Sequence, residues 1–451
     1  MSPAPAFALA RTRPGTADPR VRLTRRSLIG SAAALAIGGA LAGCASGSGT
    51  ATDGPTQISF TFWGPDFYQR FTQQMVDAFH AAHPEISVQS QPAEWGGYWD
   101  RLATMTAGGN PPDVMNMDGK YIAEYGGNGV LADLNTVEGL DLSNLSDADR
   151  RAGTFRDTLY ALSTGWNAFA IYANPEVFSA AGVDVPDDTT WTWDDFYTTA
   201  EAISQGTPDG TVGATGGGTY ADLTIWLRQH GEDLFSDDGV GFTPATAAAW
   251  FEHYVRLMTS GAGFPPAQAQ EDGSVPYEQQ AFPTGRSAMF WSWSNQLENA
   301  RKATGQEVRM LRPPSRTGRV QDNGLFLKAS MFWSIGARTQ HLAESATFVN
   351  FLMNDPDAAR IQLLARGVPS SPEVLAALEP HLGATDTYIA EWLGSVGEEI
   401  TLPPPHIEPE GAADHQNVIA RALEEVRFER LSPTQAAERL ANDLNAMIAS
   451  A

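Results

Sequence analysis

The 451-residue chain holds a single cysteine. No disulfide can form within it, so stability must come from packing rather than cross-links. Lysine is nearly absent, occurring only as Lys120, Lys302 and Lys328. Basic residues number 29 against 53 acidic ones, a formal net charge of −24. Such a polyanion is repelled by phosphate backbones and anionic lipid surfaces, and no local basic patch relieves it. Nucleic acid is excluded as a partner. Beyond the first fifty residues no apolar run approaches the ~20 residues of a membrane span. Walker loops, Gly-x-Ser-x-Gly and a cysteine nucleophile are missing too. His80-x-x-His83 could face a metal, but His83 precedes Pro84 at a helix end, where histidine suits the dipole. Asp237-Asp238-Gly239 lacks the ligand spacing of a calcium loop. No metal and no cofactor is expected.

What is present begins with the cysteine itself. Cys44 closes Leu41-Ala42-Gly43-Cys44, behind Arg20, Arg22, Arg25 and Arg26 and an apolar, small-residue run from Leu28 to Leu41. This resembles a bacterial lipobox, in which cleavage leaves the cysteine to be acylated. Residues 28–43 number sixteen, too few for a span. The expectation is a signal peptide over 1–43, lipidation at Cys44 and a flexible spacer over 44–56. The protein would then be anchored by lipid on the extracytoplasmic face of the cell membrane. Thr24-Arg25-Arg26-Ser27-Leu28 looks like a twin-arginine signal, but ordinary leaders also carry arginine pairs, and both routes stay open. The leader takes six arginines and Asp18, leaving 408 residues with 23 basic and 52 acidic side chains. That length suits two domains with substantial cores.

Ile58-Ser59-Phe60-Thr61-Phe62 alternates as a strand does, and Phe67, Phe71, Met75, Ala78 and Phe79 predict a helix over 66–82. A strand starts at Ile86, a helix covers 98–106 and a third strand covers 113–117. That order is the pattern of a parallel, doubly wound α/β sheet. A buried strand is predicted at 168–172, with helices near 175–181, 193–205, 221–230, 244–259 and 276–283, and a strand at 287–291. Strands at 323–327 and 331–335 precede helices at 339–353 and 356–365. The tail, 411–427 and 432–449, is helical.

Several landmarks recur in a fixed order. They are Phe79 to Val88, the turn Gly108-Gly109-Asn110-Pro111-Pro112-Asp113-Val114, and Leu159-Tyr160-Ala161-Leu162. Tyr172 to Phe178 with Ala181-Gly182 follows, then Thr192-Trp193-Asp194-Asp195-Phe196, Phe282-Pro283-Thr284-Gly285-Arg286-Ser287-Ala288-Met289, and Ala346 to Leu352. Together, behind a lipobox, they resemble extracellular solute-binding proteins of ABC importers, in the family that includes maltose and multiple-sugar binders. The match covers essentially the whole chain after the leader. One departure is Leu162-Ser163-Thr164, where the family usually has Leu-Pro-Tyr. The resemblance implies an α/β, two-lobed, periplasmic-binding-protein-like (type II) clamshell with crossing hinge segments and a helical C-terminal tail. By analogy one lobe takes 57–165 with 320–370, and the other takes 166–319 with 371–451. It implies a non-catalytic monomer that captures a sugar or oligosaccharide between the lobes and delivers it to the permease subunits.

In open α/β sheets ligands sit beyond the carboxyl ends of strands. After the first three strands come Trp63-Gly64-Pro65-Asp66, Glu94-Trp95-Gly96-Gly97 and Asp118-Gly119-Lys120. Each turn offers a carboxylate and two add a tryptophan, a pairing that suits a pyranose. Its axial C–H patch packs on an aromatic face, and its hydroxyls donate to carboxylates in charge-assisted bonds. The same residues would also serve as half-buried packing and helix caps. From the second lobe the candidates are Trp166 and Asn167 at the crossing, Tyr220 behind Gly216-Gly217-Gly218, and Trp291 and Trp293 on one strand face. Gly324 and Arg366 are carried by the resemblance. A secreted carbohydrate-active hydrolase, or a binder of a polyol or glycerol phosphodiester, are the other readings.

Overall fold

A computed structural model describes residues 54–450 apart from 209, 237 and 238. The leader, Cys44, most of the spacer, Asp237 and Asp238 therefore lie outside the described residues. Strand β1 (Thr56–Trp63) buries Ile58, Phe60 and Phe62. It lies inside a sheet, pairing in parallel with β2 (Ile86–Ala93) on one side and β3 (Val114–Met117) on the other. The strand Phe332–Ile335 runs antiparallel on β3, and Leu162–Ser163 closes that edge. Helix α1 (Asp66–Ala82) buries Phe71, Met75, Val76 and Phe79, the helical stripe of the sequence. Phe67 instead stays 44 % exposed at the start of α1, outside the stripe. Helices α2 (Trp95–Ala107) and α3 (Gly119–Gly127) follow β2 and β3.

The second sheet is built on Trp166–Ala173, whose eight residues are all buried, as the apolar run from Ala168 to Ala173 requires. Ser287–Trp293 and Arg309–Leu311 flank it antiparallel, and Val212–Gly216 lies parallel beyond Ser287–Trp293. Helices Ala384–Glu399, His415–Arg427 and Pro433–Ala449 add Trp392, Ile419, Leu440 and Leu444 to this core. None of the described helices is long and apolar enough to cross a membrane.

Three segments link the lobes. Leu162–Ser163 of the first sheet leads into Trp166–Ala173 of the second, and Leu327–Ala329 pairs with Trp166–Ala168 before the chain re-enters the first sheet. The third is fixed by reciprocal N–H···O bonds between Trp166 and Val368, of 2.8 and 2.9 Å. Gly165 and Gly367 touch at this point. Gly165 has φ +154°, and a Cβ there would lie 2.7 Å from the Gly367 carbonyl carbon. Gly165→Ala is expected to cost about 1–3 kcal/mol through strain and overpacking. A lowered thermal midpoint measures it; an unchanged midpoint would show that the crossing yields freely.

Two expected elements differ. Residues 276–283 hold only a short 3-10 turn, Tyr277–Gln279, because Pro276 and Pro283 bracket the segment; the helix forms earlier, at Pro266–Ser274. The strand expected at 323–327 is Leu327–Ala329 instead. Gly324 is left-handed (φ +72°) and the Asn323 side chain accepts from Leu325 N–H at 2.8 Å, which makes a turn of those residues.

Candidate ligand-binding site

The turns after β1, β2 and β3 lie side by side because their strands are adjacent and parallel. Trp63 is nearly buried, edge-on to Trp95 (5.1 Å, 77°) and Tyr98 (5.0 Å, 65°) and 5.3 Å from Trp99. Trp99 in turn meets Tyr121 at 3.9 Å. These rings form an aromatic ledge on the first lobe, with Trp95 41 % exposed. The Lys120 ammonium stands 5.3 Å from Trp95 and 5.1 Å from Tyr121, a cation–π bracket. Asp118 caps α3, accepting from Lys120 N–H at 3.2 Å, so one carboxylate is fixed at the helix start. Asp66 and Glu94 are exposed, and Glu94 accepts only a long 3.5 Å bond from Gln69.

Lys328 is the centre of the other wall. Its strand places it opposite Asn167, and its ammonium lies 5.9 Å from the Trp293 ring. Burial opposes its charge, but Tyr220, Asp118 and Glu408 outweigh that and push its pKa up. Tyr220 opens the helix Tyr220–Arg228 and lies edge-on to His415 at 5.3 Å and 89°. Its phenol is pushed up chiefly by burial, with Lys328 opposing and the Glu408 and Asp118 charges adding to the rise. Burial lowers the His415 pKa, and its Nδ1 pairs with the Ala412 carbonyl at 2.9 Å. The turn before Tyr220 is held by buried Asp222. Its carboxylate accepts from Thr219 N–H (2.8 Å) and hydroxyl (2.7 Å), Gly218 N–H (3.1 Å), the Trp250 indole (3.0 Å) and the Tyr254 hydroxyl (2.6 Å). Trp293 is half-buried, 5.0 Å from Phe169 and 6.3 Å from Tyr220, and its carbonyl accepts from Tyr172 OH at 2.6 Å.

A cavity of about 960 Å³ adjoins this cluster, with Gly119, Trp166, Tyr220, Lys328, Phe332 and the segment 403–410 on its walls. Trp166 is oriented there by its indole N–H, which donates to buried Asp149 at 3.0 Å. Asp118, Tyr220 and Lys328 thus come together, with Trp293 beside them and Trp63 and Trp95 on the ledge. Asn167, the cross-strand partner of Lys328, is buried and accepts from Ser294 Oγ at 3.5 Å. Three predicted residues are placed elsewhere. Trp291 stacks on Phe169 (5.5 Å, 19°) inside the second-lobe core. Gly324 lies against the Ile225 carbonyl, where a side chain would collide. Arg366 is fully buried in the first lobe, 4.8 Å from both Phe71 and Trp333, donating to Thr72 Oγ1 at 2.9 Å. Burial lowers its pKa to about 9.

Sequence reasoning missed Lys328, Glu408, Trp99 and Tyr121. Lys328 had one signal, its rarity among three lysines; Glu408 had its setting in Pro403-Pro404-Pro405-His406-Ile407-Glu408-Pro409. Among the described residues no group of three or more His, Cys, Asp or Glu side chains is arranged to hold a metal.

The pattern of the bacterial extracellular solute-binding protein family matches residues 74–387, and the chain belongs to that family. An uncharacterized lipoprotein from the oleD 5′ region of Streptomyces antibioticus is 28% identical over 168 residues, 36% of this chain. The match spans only 37% of that protein's length. The diacetylchitobiose binding protein DasA of Streptomyces coelicolor is 25% identical over 376 residues, 77% of this chain and 84% of that one. A periplasmic oligogalacturonide binding protein of Yersinia enterocolitica superposes with a TM-score of 0.74 at 20% identity, covering 88% of this chain and 99% of its own; the likeness there is one of fold. The fold is accordingly the two-lobed α/β architecture of type II periplasmic binding proteins. The chain is an extracellular solute-binding protein of an ABC transporter, a binder and not an enzyme.

Proposed function

We propose that the protein is a lipid-anchored receptor that captures an oligosaccharide between its lobes and hands it to the membrane permease. The observation that carries this reading is the cluster around Lys328. The first lobe supplies Asp118, the second supplies Tyr220 and Trp293, and a crossing strand supplies Lys328. A site assembled from both lobes is complete only when they are apposed, so ligand and closure favour each other. Flat aromatic faces beside a carboxylate and an ammonium suit a sugar ring, whose C–H patch stacks while its hydroxyls bond to charged partners. The cavity of about 960 Å³ is near the top of the roughly 300–1,000 Å³ range of small-molecule sites, which favours several sugar rings over a single ring, polyol or glycerol phosphodiester. The relative named for diacetylchitobiose supports the same ligand class. The Leu41–Cys44 sequence and the relative named a lipoprotein support the anchor.

Titration calorimetry and thermal shift against mono-, di- and oligosaccharides, polyols and glycerol phosphodiesters test the reading. Binding of an oligosaccharide recovered unchanged is expected, raising the midpoint with concentration. Trp293→Ala should weaken it about tenfold through the lost aromatic face. No response to any saccharide would sink the assignment.

A further inference from the structure

The segment 402–410 carries four prolines, Pro403, Pro404, Pro405 and Pro409, and no helix or strand. Such a run is a stiff, extended spacer that moves as a unit. The chain on either side of it belongs to the second lobe. The Pro403 carbonyl accepts from buried Arg228 at 2.6 Å, and the helices before and after it are part of that lobe's core. Its C-terminal part reaches the first lobe. A Cβ on Gly119 would lie 3.7 Å from Glu408 Oε2, and Glu410 fills the space that a Cβ on Gly127 would need. Glu410 also pairs with Arg156 at 3.3 Å.

Arg156 is presented deliberately. It sits at the tip of a tight hairpin in which Thr154–Phe155 pairs with Thr158–Leu159, and Arg156 and Asp157 both have positive φ, 47° and 65°. That is the conformation of a two-residue hairpin turn, usually filled by Asn or Gly. Its guanidinium lies 4.8 Å over the Phe155 ring, and Phe155, Arg156 and the proline-rich segment all line the large cavity.

We propose that residues 402–410 form a strap over the cavity, pinned to the first lobe by the Arg156–Glu410 ion pair, and that release of this pin gates ligand exit. The gate rests on the reading of the cavity as the ligand's place; the pin does not. A partly exposed pair holds weakly, which suits a contact that must open.

Hydrogen exchange of the peptide 400–411 in the ligand-free protein tests the pin directly. Arg156→Glu and Glu410→Arg should each speed exchange there about three- to tenfold, and the double swap should restore it. Unchanged exchange in both single variants, or no restoration in the double, overturns the pin whatever sugar binds. Arg156→Gln and Glu410→Gln, with thermal midpoints compared, serve if a reversal unfolds the protein. Stopped-flow release of the bound oligosaccharide should follow the same order of variants. Equal release rates with altered exchange would overturn the gate, and faster exchange in the single variants, restored in the double, with no sugar binding would remove the sugar reading while supporting the pin.

Discussion

Lys328→Met is expected to weaken ligand binding by roughly thirtyfold, about 2 kcal/mol, the lower end of what truncating one member of a desolvated charge group costs. Tyr220, Asp118 and Glu408 together favour the charged form of Lys328 against its burial. Without it, the attraction that Asp118 and Glu408 each exert on the ammonium is lost, and with it a contact between the crossing strand and the first lobe. The sign of its pH dependence follows from the raised pKa. The ammonium's contribution is complete below the ordinary lysine value of 10.5 and is lost only as pH climbs past its elevated folded value. Wild-type affinity should therefore show no Lys328 transition between about pH 6 and about pH 9. Calorimetry across that range checks it, and Lys328→Met binding as tightly as wild type would remove Lys328 from the site.

The largest effect on stability is expected at Asp222. Asp222 is 4 % exposed, and its carboxylate accepts five hydrogen bonds, two from Thr219 and one each from Gly218, Trp250 and Tyr254. Asp222→Ala takes the acceptor from the buried Trp250 indole and Tyr254 hydroxyl and opens the capping box of the helix that carries Tyr220. A cost of about 3–5 kcal/mol is expected. For a lobe of this size that is a fall of roughly 10 °C in thermal midpoint, from about 2–4 °C per kcal/mol. Tyr220 should lose its place as well, so ligand affinity falls with stability. Thermal unfolding monitored by tryptophan fluorescence reads the first effect. A midpoint within a degree or two of wild type would show that the network is not what holds this turn.

The first lobe's alternation of strands and helices was legible because each element carries its own period. Ile58, Phe60 and Phe62 repeat every second residue, and Phe71, Met75 and Phe79 every fourth. Where proline cuts a weak pattern, as at 276–283, the apolar residues alone misled. The turns after β1, β2 and β3 were legible as a group, since parallel neighbours bring their ends together. Trp291 and Arg366 were not. Trp291 and Trp293 face the same side of one strand, and only the depth of the packing beneath them separates a core ring from a half-buried one. Arg366 could be read as a cleft cation, yet Tyr68 and Phe71 from α1 and Trp333 from a strand of the first sheet enclose it.

The cysteine count, the charge balance and the order of periodic segments depend on neighbours along the chain. They therefore carried the expectation of an anchor, the α/β class and the family without any coordinates. The Lys328 cluster and the strap over the cavity depend on residues from Asp118 to Glu410, nearly three hundred positions apart, meeting between two lobes. Local patterns do not encode such meetings; the crossing strands and the packing of the tail helices bring them about.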